Sequence, residues 1–358
     1  MDFDGTLIKY KKIIDSGIET LFEDRINDSK DFLKSSYKYL KEFVLQGGKR
    51  LRPIMAIMAY KSLCDQDEEK IYLPAVGIEL FHNSSLIHDD IMDENEKRRG
   101  MPSMYKHNEM TFLKEYEEKK YNGGVFRKRS ERFGVSIAIL QGDILYALTE
   151  SCFTNTSVQA DVSRKALDVI NFTYRKISEG QILDIISEVN RDFTEDDYFE
   201  AIDTKTAYLF RASIQVGAIF SQTTSTQMAA LSQYATHIGA AFQLQDDLID
   251  IRPGLKGHAL GSDIIRGKRT LLIIKALENS NEKQKRILLS AFGNYSADPG
   301  MITAASDVLY DTGSVDYVKN MAHQKLQQGR SYLTDAGLSK EGMTFFEDLA
   351  NFMANREI

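Results

Sequence analysis

Residues Leu86-Ile87-His88-Asp89-Asp90-Ile91-Met92-Asp93-Glu94-Asn95-Glu96-Lys97-Arg98-Arg99-Gly100 pass from an apolar approach through a run of acids to a pair of arginines. On a helix, Asp89 and Asp93 share one face about 6 Å apart along the axis, close enough to share divalent ions. Arg98 and Arg99 follow within about two turns. Hard oxygen ligands beside guanidinium forks suit a phosphorylated ligand: the acids hold Mg²⁺, and the metal and the arginines neutralise the phosphate. The pattern recurs at Asp246-Asp247-Leu248-Ile249-Asp250, with the same Asp-Asp-x-x-Asp spacing and the same apolar filler.

Upstream of the first motif, a helix is expected over about 70–94. Its Ile71, Ala75, Ile78, Phe81, Ser85, Asp89 and Asp93 fall mostly at steps of three and four, so one stripe turns from apolar to acidic. A ligand with a charged head and a hydrocarbon tail requires such a stripe, although a core face running out to a solvated acidic end reads the same. His82 stands about one turn or two before the acids, where a lone histidine is more often a hydrogen-bonded core residue.

The rest of the chain bounds the fold. It has 358 residues, only 5 prolines and no Gly/Ser/Pro-rich linker, so the helical periodicity predicts one all-α domain over 1–358 with a charged insertion at about 104–130. That insertion is expected to form a surface helix and a loop. Other helices are expected near 8–24, 28–46, 54–64, 135–156, 162–189, 195–221 and 226–251, with more over 280–358. The net charge of −7 argues against nucleic acid as a partner. Cys64 and Cys152 lack metal or redox spacing and read as buried, reduced thiols of a cytoplasmic protein. No apolar run is long enough for a transmembrane segment. Asp2-Phe3-Asp4-Gly5-Thr6 has the pattern of a phosphatase nucleophile loop, but that loop follows a buried strand and only Met1 precedes it here. A helix-start turn capped by Asp and Thr is the preferred reading.

Several smaller signals accompany the acids. Gly47-Gly48-Lys49-Arg50-Leu51-Arg52-Pro53 joins a glycine break to converging bases, which reads either as an anion site or as an ordinary basic helix end. Gly180-Gln181-Ile182-Leu183-Asp184 sets two polar groups on one face of an apolar helix. In Thr204-Lys205-Thr206-Ala207, Lys205 offers charge and Thr206 a hydroxyl able to loosen local backbone bonding. A loop of glycines and bases from Gly254 to Gly267 leads to Lys268-Arg269-Thr270.

Taken together and in this order, the Gly-Gly-Lys-Arg-Leu-Arg-Pro run, the two acidic motifs, Arg-Arg-Gly, Lys-Thr and Gly-Lys-Arg-Thr-Leu resemble the trans-isoprenyl diphosphate synthases over about residues 40–280. The surroundings of the second motif are most similar to archaeal geranylgeranyl-type enzymes. The resemblance implies a helical bundle around a deep central cavity, the isoprenoid synthase fold, with the acidic motifs facing each other across its mouth. It implies three Mg²⁺ held by Asp89, Asp93 and Asp246, with Asp90, Asp247 and Asp250 supporting. It assigns the allylic diphosphate to those metals with Arg98, Lys205 and Lys268, and isopentenyl diphosphate to Gly48, Lys49, Arg52, His82 and Arg99. Gln181 joins the substrate-binding set, and Thr206 and Gln243 line the region where the allylic cation forms. No side-chain nucleophile is required. A homodimer is expected.

Bulky aromatics four or five residues before the first motif shorten products in this family; here those positions are Ser85 and Ser84. Phe81, roughly 12 Å down the helix from Asp89, becomes the expected stop. A C20 product follows, with C25 or longer as the alternative, and a terpene cyclase or a non-catalytic partner subunit as more remote ones. One departure stands out: His258 occupies the place of a customary phosphate-binding lysine, with Lys256 nearby, which implies weaker or more pH-sensitive activity.

Overall fold

A computed structural model describes residues 2–65, 67–252 and 260–354. Among them the expected all-α class holds: sixteen α-helices with short 3₁₀ and π segments, and one two-residue hairpin. The chain divides into two compact units, Met1–Leu167 with Ile219–Gln222, and Asp168–Ala218 with Thr223–Ile358.

The first unit holds α1 (Phe3–Asp28), α2 (Asp31–Leu45), α3 (Leu51–Leu63), α4 (Tyr72–Met92), α5 (Met104–Glu115) and α6 (Arg129–Thr154), and ends within α7 (Ala160–Val189). Helix α1 starts where the capping reading places it: the Asp2 carboxylate accepts from the Gly5 N–H at 2.8 Å, and the Thr6 hydroxyl donates to the Asp2 carbonyl. Its Tyr10, Ile14, Ile18, Phe22 and Ile26 recur every four residues and are buried. In helix α2 the first-turn Phe32 and Leu33 are exposed, and only Leu40, Phe43 and Val44 reach the core.

Helix α4 packs chiefly on α6. Small residues set the approach: the Thr149 hydroxyl donates to the Gly77 carbonyl at 3.1 Å, and the Ser84 hydroxyl to the Gly142 carbonyl at 2.8 Å. A methyl group on Gly77 would lie 2.9 Å from Cys152 Cβ, so this crossing admits no side chain there. Cys152 is buried as expected, while Cys64 is only half-buried.

The charged insertion is helical only to Glu115. Beyond it, the Glu118 carboxylate accepts from the N–H groups of Arg129 and Ser130, and Glu131 accepts from those of Arg127 and Lys128, so acids satisfy the exposed donors that open α6.

The second unit takes the rest of α7, then α8 (Glu195–Ile202), a π-helical segment (Asp203–Ala207), α9 (Tyr208–Phe220), α10 (Ser225–Asp250), α11 (Ser262–Arg266), α12 (Leu271–Asn279), α13 (Glu282–Ala291), α14 (Pro299–Asp311), α15 (Ser314–Ser331) and α16 (Lys340–Ala354). Helix α10, opened by a Thr224/Gln227 capping box, is central and packs most extensively on α15. Leu244, Leu248, Ile264, Leu271, Ile273 and Leu309 belong to one core that carries the acidic end of α10. The expected helix over 195–221 is therefore two α-helices separated by the π segment. Thr204 contributes to the break, since its hydroxyl bonds back to the Glu200 and Ala201 carbonyls.

Candidate functional sites at two acidic helix ends

In the first unit, Asp89 and Asp93 occupy the last turn of α4, and Asp93 is its C-cap, with its N–H bonded to the Asp89 carbonyl at 2.8 Å. Acids are disfavoured at a helix C-terminus, where the carbonyl ends already carry partial negative charge. Arg98 offsets that cost. Its Nε and Nη2 donate to Asp90 Oδ2 and Oδ1, both at 2.7 Å, and Nη2 lies 3.6 Å from Asp89 Oδ2. Burial raises the Asp90 carboxyl, and the guanidinium opposes that rise.

A feature absent from the expectation orients both arginines. Lys97–Arg98 pairs antiparallel with Met101–Pro102, and the two turn residues, Arg99 and Gly100, both have positive φ, 51° and 81°. That is the backbone signature of a type I′ hairpin turn. Arg98 is sent to the acids, whereas the Arg99 guanidinium donates to the Gln46 carbonyl beside the glycine loop.

The glycine loop, between α2 and α3, has left-handed backbone at Gly47, Gly48 and Arg50, with φ of 64°, 81° and 55°. Any Cβ on Gly48 would stand 3.3 Å from Arg50 Nη1 and from Arg99 Nη2, so the bare backbone lies between two guanidiniums. Lys49 is exposed. Arg52 Nη1 is 3.3 Å from His82 Nε2. Because arginine only donates, the imidazole accepts there and carries its proton on Nδ1. Burial, then the charges of Arg52, Arg99, Arg98 and Arg50, hold the His82 pKa well below its ordinary value, so the ring is neutral at neutral pH. Gly48, Arg52, His82 and Arg99 are thus gathered in one region, with Lys49 next to Gly48 on the loop.

Arg50 was outside the expected set. Its side chain is buried, donating to Asp15 Oδ1 and Glu79 Oε1, each at 2.8 Å. Glu79 is in turn held by the Asn83 amide at 3.0 Å. This network anchors the loop that presents Lys49 and Arg52. Deeper along α4, Phe81 is buried edge-to-face on Tyr146, with centroids 5.8 Å apart. Ser84 is buried against α6, and the half-buried Ser85 hydroxyl bonds back to the His82 carbonyl.

In the second unit, α10 brings Gln243, Asp246, Asp247 and Asp250 to one end. A continuous chain of hydrogen bonds runs through it: the Thr206 hydroxyl donates to Gln243 Oε1 at 2.8 Å, Gln243 Nε2 to Asp247 Oδ1 at 3.0 Å, and the Tyr198 hydroxyl to Asp247 Oδ2 at 2.6 Å. Burial pushes the Asp247 carboxyl up to about 7 despite these donors. Asp250 accepts from the backbone N–H groups of Ser262 and Asp263, each at 3.1 Å, and from the Ser262 hydroxyl. Lys205, on the π segment, and Lys268 both reach Asp184 Oδ2, at 2.6 and 2.7 Å. Gln181 is buried, and its Nε2 has no hydrogen-bond partner among the described residues. A cavity here is lined by Asp184, Lys205, Thr206, Gln243, Asp247 and Lys268, together with Tyr198 and Asp263.

Two glycines admit the π segment. A Cβ on Gly180 would lie 2.4 Å from the Lys205 backbone nitrogen, and one on Gly239 would lie 2.5 Å from Ala207 Cα. Helices α7 and α10 therefore close on it from two sides. Of the residues outside the expected set, Asp184 was visible as the i+3 neighbour of Gln181, whereas Tyr198 carried no sequence signal. His258 and Lys256 lie outside the described residues.

An all-α chain bearing acids and bases at such helix ends points to a class of protein that handles diphosphates. The polyprenyl synthetase family model matches residues 33–309. A geranylgeranyl diphosphate synthase of Methanosarcina mazei is 33% identical, over 90% of each chain. A geranylfarnesyl diphosphate synthase of Natronomonas pharaonis is 32% identical, again over 90% of each. The crystal structure of a geranylgeranyl pyrophosphate synthase from Corynebacterium glutamicum, complexed with isoprenyl diphosphate and magnesium, superposes with a TM-score of 0.89 at 25% identity over the whole of both chains. The chain belongs to the polyprenyl synthetase family, and its activity is that of a trans-prenyltransferase.

Proposed function

We propose that the protein condenses isopentenyl diphosphate with an allylic diphosphate, with Mg²⁺, to make linear all-trans geranylgeranyl diphosphate (C20). The observation that carries this reading is the parting of the two hairpin arginines. Arg98 serves the acidic end of α4, while Arg99 joins Gly48, Arg52 and His82 in a base-rich region. Two anion loci of different character suit two diphosphate substrates; a cyclase, with one diphosphate, has no use for the second.

The donor set fits a hard divalent cation. Asp89, Asp93 and Asp246 offer carboxylate oxygens, and Mg²⁺ typically takes one or two carboxylates with water and substrate phosphate. Among the described residues no three acidic, His or Cys side chains are grouped so as to hold a metal ion by themselves. Three ions remain the family expectation. When bound, Mg²⁺ would supply charge neutralisation for the departing pyrophosphate.

The protein's own groups do the rest. Lys205 and Lys268, with Arg98, hold the allylic diphosphate and stabilise negative charge as its carbon–oxygen bond breaks. Lys49, Arg52, Arg99 and the neutral His82 orient isopentenyl diphosphate, Gly48 lets its phosphate approach the backbone, and Gln181 contributes an amide. The double bond then attacks the allylic cation beside Thr206 and Gln243. The proton lost from the adduct passes to the pyrophosphate, so no side-chain base is needed. Asp90, Asp247 and Asp250 keep the acidic ends in shape. Phe81, braced by Tyr146, stops the growing chain below Ser84 and Ser85.

The whole chain is taken to act as one isoprenoid-synthase domain, as a cytoplasmic homodimer. No described helix is long and apolar enough to cross a membrane. Incubation with labelled isopentenyl diphosphate, an allylic primer and Mg²⁺, followed by product sizing, tests the proposal. A C20 alcohol after phosphatase treatment is expected. A C25 or longer product supports the alternative suggested by the geranylfarnesyl relative, a cyclised hydrocarbon supports a cyclase, and binding without turnover supports a partner subunit. Phe81→Ala should lengthen the product; an unchanged length removes Phe81 from its role.

A further inference from the structure

Asp184 has no part in the assignments above, yet it touches both lysines given to the allylic diphosphate. Lys205 comes from the π segment and Lys268 from the turn after α11, and their ammonium groups converge on the same carboxylate oxygen. Bonds of 2.6 and 2.7 Å to one atom place the two nitrogens no more than 5.3 Å apart. Two like charges at that separation repel, and nothing in the covalent chain compels them to meet. The carboxylate between them removes the repulsion and fixes where both point.

The arrangement remains open to a ligand. The side chains of Lys205, Asp184 and Lys268 are 26%, 21% and 10% exposed, and all three line the cavity at the end of α10. Each ammonium has three donors, of which the bond to Asp184 takes one. A pair of point charges held on one carboxylate oxygen, no more than 5.3 Å apart, can meet the two phosphoryl groups of one diphosphate. Burial opposes ionisation of Asp184, but the charges of Lys205 and Lys268 and their hydrogen bonds hold its carboxyl well below the usual carboxylate range.

We propose that Asp184 is a positioning residue: its carboxylate holds Lys205 and Lys268 as a preset two-pronged receptor for the allylic diphosphate. The proposal rests on the reading of those lysines as diphosphate ligands. Preorganisation of this kind lowers the ordering cost of binding, and it acts on one substrate and not the other.

The test uses the full chain and inorganic diphosphate as the probe, titrated by calorimetry without metal, alongside steady-state kinetics with Mg²⁺. Asp184→Asn keeps the shape and removes the charge. Its diphosphate affinity should fall about 10-fold, the KM for the allylic substrate should rise by a similar factor, and the KM for isopentenyl diphosphate should stay within about twofold. Asp184→Glu restores a carboxylate and should recover most of the loss, which also keeps the test decisive if the asparagine variant does not fold. Unchanged or tighter diphosphate binding in Asp184→Asn overturns the proposal, because a carboxylate that merely competed with the ligand would give that result. So does a parallel rise in both KM values with a lowered Tm, the mark of a structural role, or a glutamate variant no better than asparagine. Lys205→Ala and Lys268→Ala separate the two layers: if they leave diphosphate binding intact, the reading of the lysines fails, whatever Asp184 does.

Discussion

The middle acid of the first motif, Asp90, is held by a charged partner, Arg98, whereas its counterpart in the second, Asp247, is held by two neutral ones, Tyr198 and Gln243. Both are buried at the C-terminal end of a long helix, where carboxylates are electrostatically out of place. At α4 the bidentate guanidinium keeps an ion pair. At α10 the donors satisfy the oxygens without bringing charge, and burial lifts the carboxyl to about 7. Equal spacing in sequence thus produces unequal electrostatics. The charge is supplied elsewhere at the second end, by two lysines gathered on Asp184.

The largest expected effect tests what the two ends share. Asp89→Asn and Asp246→Asn should each lower kcat by at least about 100-fold, as removal of a group that stabilises developing charge does, with little change in Tm. Steady-state kinetics at saturating Mg²⁺ would show it. A mild loss at one end and a severe loss at the other would show that the ends do not contribute alike. The next effect tests where they differ. Asp90→Asn leaves the Arg98 guanidinium facing a neutral amide, and breaking such a pair costs about 3–5 kcal/mol, toward the lower end here because Arg98 is partly exposed. Asp247→Asn keeps an acceptor for Tyr198 and, at acid pH where the carboxyl it replaces is also neutral, should cost about 1 kcal/mol. Urea unfolding of both variants compares them directly, and equal losses would break the distinction.

Much of this was legible in the sequence, for identifiable reasons. Acid-ended helices advertise themselves by period, because Ile71, Ala75, Ile78 and Phe81 keep the helical step on which Asp89 and Asp93 then fall. The gathering of Gly48, Arg52, His82 and Arg99 was legible only through family resemblance, since no local rule links residues so far apart. The hairpin that parts Arg98 from Arg99 was missed because its strands are two residues each and its turn places an arginine at positive φ, where glycine or asparagine is the usual signal. Tyr198 was invisible: a tyrosine in a short amphipathic helix looks the same whether its hydroxyl meets water or Asp247. The π segment left a faint trace in Thr204 and Thr206, but the glycines that accommodate it, Gly180 and Gly239, lie on other helices.

Those glycines give a smaller test of how rigidly each region is built. At Gly180 an added methyl meets the Lys205 backbone, which cannot swing aside, so Gly180→Ala should cost about 1–3 kcal/mol and disturb the lysine it abuts. At Gly142, in the first unit, the methyl meets the end of the His88 ring, a side chain able to rotate away from its 3.1 Å contact with the Ile139 carbonyl. Gly142→Ala should therefore cost less than about 1 kcal/mol. Thermal unfolding ranks the two, and the reverse order would show that the α4–α6 crossing is the more rigid.

An acid outside both motifs shows what a carboxylate does when its surroundings favour the charge outright. Glu68, on the turn that leads into α4, accepts from Tyr72 at 2.7 Å, Tyr10 at 2.9 Å and Lys9 at 3.1 Å, and pairs with Lys61 at 3.2 Å. Partial burial works against ionisation, but the hydrogen bonds from Tyr72, Lys9, Tyr10 and Lys61 outweigh it and lower the carboxyl from 4.5 to about 2. An acid whose folded pKa is depressed binds fewer protons in the folded than in the unfolded state, so stability falls as pH falls. The Glu68 contribution is complete above about pH 4.5 and disappears as the pH drops through about 2. Glu68→Gln should lower stability at pH 7 and flatten the acid limb of the stability curve between those limits, leaving the two proteins nearly equal at the acid end. A constant difference across the whole range would mean that Glu68 acts by shape. Asp247 has the opposite shift, since its folded state holds the proton more tightly, so its effect on stability grows more unfavourable as pH rises toward 7. One urea series from pH 2 to 7 on Glu68→Gln, Asp247→Asn and the parent therefore reads both signs in the same molecule, and limbs that moved together would show that donor charge does not set the state of these acids.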